Sequence, residues 1–280
     1  MSEPTNNINV NAIDETTAQE TPLTIEELAC ACEDRAATYA LLSHLYHKEV
    51  DEKYLDVLNE MLYPVSSGNE TMDIGHYHIA KYLSNAWFDP ITKLSVDYLK
   101  TFLGDGIDSH AAAYPFESVY TSEKRLLMQG ARDEVLAIYR SCGLDKAKGW
   151  SVGEDHLSVE LEFMRILCLR AARALREGAE DEAYSLINTQ YNFLKDHLRI
   201  WVPVFVQDVY RFSKTLFYHG VAELTEGFLQ TECELLSQLV GENEEDENTD
   251  SGGKSTTYNT GSNYSDNDDT SESTSDNAIK

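Results

Sequence analysis

The residues with the greatest chemical capacity in this sequence are Glu154-Asp155-His156, with Glu160 four positions further on. A loop becomes a helix there, so His156 and Glu160 share one helical face. Acidic side chains at such a point sit beside exposed backbone N–H groups and the positive end of the helix dipole. Capping therefore accounts for Glu154 and Asp155, and recognition of a ligand is the competing role. His156 and Glu160 could hold two positions of a metal site, but no third or fourth ligand is evident, and no metal is expected.

Other catalytic patterns are missing. Ser118 follows Glu117, but no nucleophile elbow surrounds it, and neither a phosphate-cradling GxxxxGK[ST] nor a GxGxxG after a strand occurs. His197, four residues before Trp201, reads as a packing or hydrogen-bonded residue at a helix end. The five cysteines (30, 32, 142, 168 and 233) are odd in number and lack metal spacing, so they read as reduced helix residues of a cytosolic protein. The expectation is a protein with no catalytic residues and no cofactor.

Binding chemistry is better represented. Trp87, Phe88, Tyr98, Phe102, Tyr114, Phe116 and Tyr120 cluster before and within the least helical stretch of the body. Each ring alone is ordinary core material. Together with nearby carboxylates they describe a groove for a basic, partly apolar peptide. The formal net charge is -27, of which residues 241–280 supply -9 from eleven acidic residues and two lysines. A chain this acidic is repelled by phosphate backbones and anionic lipid, so neither nucleic acid nor stable membrane insertion is expected, and a positively charged partner is favoured.

The elements that must position these residues are helical. Thr24 and Glu27 form a capping box ahead of a helix over 24–48, and further helices are expected over 51–61, 71–88 and from Pro90 to about Phe102. Tyr114-Pro115 forces extended or turn geometry. Helices follow over 122–129, 131–142 with Gly143 as its cap, 154–175 and 180–199. The last two expected helices run from near Pro203 to Gly220 and over 222–240. No period-two alternation occurs, so the fold class is all-α: a compact single-domain bundle of about nine or ten helices over 23–240. Residues 1–22, with no Lys or Arg, and the acidic tail 241–280 are expected to be disordered.

Three blocks of sequence resemble the TorD/DmsD/NarJ group of redox-enzyme maturation chaperones, and its TorD/DmsD branch most. Tyr114-Pro115-Phe116-Glu117-Ser118-Val119-Tyr120 is similar to the group's Y-x-P-x-E-S-V-Y-type region, with Pro here directly after Tyr. Glu154-Asp155-His156-Leu157, with Glu160-Leu161 and Phe163-Met164, is similar to its P-D-H-L-x-x-E-L-x-F-M block, Glu154 standing where the family has proline. Phe193, His197-Leu198, Trp201, Pro203 and Phe205 resemble its F-x-x-x-H-L-x-x-W-x-P-x-F block.

The resemblance implies a cytoplasmic chaperone, monomeric or dimeric. It would bind the twin-arginine signal peptide and precursor of a molybdenum-cofactor oxidoreductase catalytic subunit before export. It places Asp155 and His156 in the peptide-binding region, lined or supported by Tyr114, Pro115, Glu117, Ser118 and Tyr120, with Trp87 contributing. No guanine-nucleotide site is recognisable. The alternatives are an all-helical metal-dependent hydrolase using Asp155, His156 and Glu160, and a helical scaffold acting through its acidic tail.

Overall fold

A computed structural model describes residues 24–104, 112–122, 130–146 and 150–241. The segment 1–22, the helix expected over 122–129 beyond Ser122, and the tail beyond Gly241 lie outside the described residues. Among those described, α-helices occupy Ile25–His47 (α1), Glu52–Glu60 (α2), Glu70–Ser84 (α3), Pro90–Tyr98 (α4), Glu117–Thr121 (α5), Gly130–Ser141 (α6), Leu157–Glu177 (α7), Glu180–Phe193 (α8), Arg199–Phe212 (α9) and Leu216–Val240 (α10). A π-helical turn over Leu194–Leu198 joins α8 to α9 as one continuous rod, so the helix count is nine or ten according to how that rod is divided. No strand occurs among the described residues, and the fold is all-α.

Local chemistry explains most helix starts. The Thr24 side chain accepts from Glu27 N while the Glu27 side chain accepts from Thr24 N, closing the capping box of α1. Asp51 and Asn69 cap α2 and α3 in the same sense. Asp89 adopts φ 45° and accepts from Thr92 N, with Pro90 following in the first turn of α4.

Two packings organise the body. Helix α1 lies along α7, which also packs on α8, and α3 lies along α10. The second approach is close enough that backbones touch. A Cβ on Gly75 would stand 2.5 Å from Leu224 N, one on Gly220 2.8 Å from Gly75 O, and one on Gly227 2.5 Å from Met72 N. Glycine is required here by the approach of another backbone rather than by a turn.

This approach corrects one expected boundary. Gly220 does not end a helix at 220 but lies inside α10, and Pro203 lies inside α9 rather than starting it. The break falls instead at 213–215. There the buried carboxylate of Asp97 accepts from Lys214 N at 2.8 Å and Thr215 N at 2.7 Å, and Thr215 caps α10. Helices α1, α8 and α10 are tied by a buried ion pair. Arg35 meets Glu232 through two 2.7 Å contacts, Tyr39 donates to the same carboxylate at 2.8 Å, and Arg35 also donates to Gln190. The remaining core is aromatic and aliphatic, with Trp201, Tyr39, Tyr46, Tyr218 and Phe102 among its largest fully buried side chains.

Candidate functional site

Helix α7 begins inside the protein. Leu157, Ser158, Val159, Glu160, Leu161, Phe163 and Met164 are all buried, so the first N–H groups of this helix cannot rely on water. The first is satisfied by the segment 115–118, and those of Ser158, Val159 and Glu160 by His156. Leu157 N donates to Pro115 O at 2.9 Å and Glu117 N to Asp155 O at 2.9 Å, which makes an isolated antiparallel bridge between Phe116 and His156. Two of the three sequence blocks that carry the resemblance are thus physically one junction.

Within it, His156 rather than an acidic residue caps α7. Its Nδ1 accepts from Ser158 N at 3.1 Å and lies 2.7 Å from Ser158 Oγ, which places the ring proton on Nε2. Burial, with His47 nearby, pushes the imidazole down to about 3, so it is neutral. Phe116 packs edge-on against the His156 ring at 4.8 Å.

Asp155 is 0% exposed and serves α5: its Oδ2 accepts from Ser118 N at 3.2 Å. The acidic cap expected for α7 is therefore a cap for the neighbouring short helix. Glu154 is pushed up by partial burial, but Arg132 Nε at 2.5 Å and Lys146 Nζ at 3.2 Å outweigh this and hold its carboxyl below the usual value. The position that departs from the family's proline is thus an ion-pair hub joining Arg132 of α6 and Lys146 to the segment that leads into α7.

Behind the junction lies a second polar layer. Glu117 is buried and meets His197 Nδ1 at 3.0 and 3.1 Å, and His197 stacks on Phe193 at 4.9 Å. Trp201 Nε1 donates to Glu160 Oε2 at 3.2 Å. Burial first, then the neighbouring Glu117 and Asp155, pushes the Glu160 carboxyl well above its ordinary value, so it is held protonated. Ser118 Oγ and Asp155 Oδ1 are buried without a hydrogen-bond partner among the described residues.

The residues singled out from sequence divide in two. Pro115, Glu117, Ser118, Asp155 and His156 come together and are buried, while Tyr114 and Tyr120 are half-buried at the edge. Tyr120 stacks on Trp201 and donates to Asp208 at 3.2 Å. Trp87 is elsewhere, in the turn between α3 and α4 and 88% exposed, next to an exposed Phe88 that carries Lys93 over its ring. Tyr98 and Phe102, read with them as one aromatic cluster, belong to the core. Sequence reading missed His197 and Trp201 as partners of Glu117 and Glu160; their spacing of four on one rod was the available signal. Among the described residues, no group of three or more His, Cys, Asp and Glu could hold a metal ion, and all five cysteines are free.

The chain is similar to chaperones of the TorD type, which are not enzymes, and matches one family model over just under half of its length. The family described as nitrate reductase delta subunit matches residues 69–207. The chaperone protein TorD of Vibrio cholerae serotype O1 (strain ATCC 39315 / El Tor Inaba N16961) is 26% identical over 224 residues, covering 78% of this chain and 99% of that protein. The TorD of Vibrio parahaemolyticus serotype O3:K6 is 27% identical over 229 residues, covering 78% and 100%. A perchlorate reductase assembly chaperone protein of Dechloromonas aromatica (strain RCB) is 33% identical over 101 residues, covering 36% and 44%.

Proposed function

We propose that this protein binds the twin-arginine signal peptide of a molybdenum-cofactor oxidoreductase precursor in the cytoplasm and holds the precursor until it is ready for export. The observation that carries this reading is the alignment with nearly the whole length of TorD chaperones, joined to a net charge of -27. Two guanidinium groups followed by an apolar run are the complement of an acidic surface that also exposes large apolar side chains. No described helix is long and apolar enough to cross a membrane.

Asp155, His156, Glu117 and Ser118 contribute in this reading by shaping the region from within. A buried carboxylate that already accepts a backbone N–H is reached by a guanidinium only if the junction opens. Pro115 is part of the junction, Tyr114 and Tyr120 stand at its edge, and Trp87 is on the surface. Isothermal titration with a synthetic signal peptide tests the proposal. Saturable binding that is lost when both arginines become lysine and when the apolar run is interrupted by charge is expected. No heat with any such peptide, from protein shown to be folded, overturns it.

A further inference from the structure

The outward face of α3 carries Glu70, Asp73, Ile74, Tyr77 and Lys81, at helical spacings of three and four. With Val65 and Gly68 from the preceding loop, four of these residues (Glu70, Asp73, Ile74 and Tyr77) line an open depression of about 450 Å³. Its apolar members are unusually bare: Val65 is 80% exposed, Tyr77 53% and Ile74 39%, and Leu62 nearby in sequence is 92% exposed. Side chains of this kind in a concave site lose little by being covered and gain on the order of 25 cal/mol for each Å² of apolar surface removed from water.

The floor is rigid. Asp73 Oδ1 accepts from Ser67 N at 2.8 Å and fixes the loop to the helix, and Asn69 caps α3 while donating to Gln230 on α10. Beneath, the glycine contacts with α10 prevent α3 from shifting. Charge selects the occupant. Glu70 and Asp73 are the charged residues of the lining, which contains no Lys or Arg. The Tyr77 ring already carries Lys81 Nζ at 5.2 Å from its centroid, so it offers the occupant apolar surface and the carboxylates offer the charge.

We propose that this α3 groove is the docking surface for the apolar run of the signal peptide, packed on Ile74, Val65 and the Tyr77 ring, with a flanking basic side chain on Glu70. The proposal rests on the functional reading above and locates it away from the buried junction. Two like-charged acidic copies of this chain are poor occupants of each other's grooves, whereas a basic, apolar segment satisfies both features of the lining.

The test is fluorescence anisotropy of a labelled synthetic peptide, Arg-Arg followed by an apolar run, against the full chain and three variants. Ile74→Asp is expected to weaken binding at least about tenfold and Glu70→Lys about threefold. Tyr184→Asp, on the exposed face of α8, is expected to bind as the unsubstituted protein does. If the unsubstituted protein binds and Ile74→Asp binds equally well, the groove assignment is overturned while the signal-peptide reading stands. If the unsubstituted protein fails to bind, the signal-peptide reading itself falls. If Ile74→Asp instead splits a dimer seen by light scattering, the groove is a self-interface and the proposal is wrong.

Discussion

Two surfaces of this protein use carboxylates in opposite ways. At the junction of α5 and α7, Glu117, Asp155 and Glu160 are buried and committed to His197, Ser118 N and Trp201 respectively. Along α3, Glu70 and Asp73 border exposed apolar side chains and an open depression. The difference teaches that the most recognisable residues of the sequence build the scaffold, whereas the surface suited to a partner is made of residues with no motif at all. A buried charge must be paired or neutralised, so its substitution is felt in folding; an exposed one is cheap to change and is felt in binding.

The largest expected effect removes the support beneath the groove. Gly75→Ala sets a Cβ against the backbone of Leu224, which cannot swing aside, and should cost about 2–3 kcal/mol of stability in urea unfolding, with peptide affinity falling in parallel. A neutral result would show that α3 can slide, and the groove would lose its fixed shape.

Next is Asp155→Ala, which strands Ser118 N in the interior and should cost about 1–3 kcal/mol by the same assay. If affinity collapses while stability is unchanged, the junction is a contact surface after all, and the contrast drawn above is reversed.

The pH dependence sharpens the comparison further. Glu160 has a folded pKa raised above 4.5, so its contribution is fully present below about pH 4.5 and declines as pH rises toward the folded value. His156 is lowered from 6.5 to about 3, so its contribution is present above 6.5 and is lost as pH falls toward 3. Glu160→Gln, which keeps the Trp201 N–H partner and carries no titrating proton, should therefore gain stability relative to the unsubstituted protein as pH rises above 4.5. Parallel pH profiles for the two proteins would show that Glu160 is not held neutral.

The smallest effect on folding belongs to Ile74→Asp, about 1 kcal/mol, because the side chain is partly exposed and the new carboxylate faces Glu70 one turn back. Its effect on binding should be the reverse in rank. A large loss of stability would mean that Ile74 belongs to the core and not to a recognition surface.

The parts of this architecture legible in the sequence are those determined locally. The Thr24–Glu27 capping box, Asp89-Pro90 and the apolar stripe of α7 needed only neighbours within a few residues. The break at 213–215 was not legible because Asp97, 117 residues away, makes it. Gly220 looked like a terminator because glycine commonly ends helices, whereas here it admits another backbone.

The junction was half legible. The types of Asp155, His156 and Glu117 were visible, but their burial and mutual pairing depend on 115–118 meeting 155–157 across a bridge no local pattern encodes. The α3 groove was illegible for another reason. Ile74 and Tyr77 fit an apolar helix stripe as well as an exposed face, and only packing on α10 decides which side of α3 is left bare.

The most direct measurement is hydrogen–deuterium exchange of the full chain with and without the Arg-Arg signal peptide. Protection that rises over residues 65–81, with the amides of Ser118 and Leu157–Glu160 already slow and unchanged, is the predicted result. Protection confined to 114–122 and 154–160, leaving α3 as it was, would contradict the division between scaffold and recognition surface.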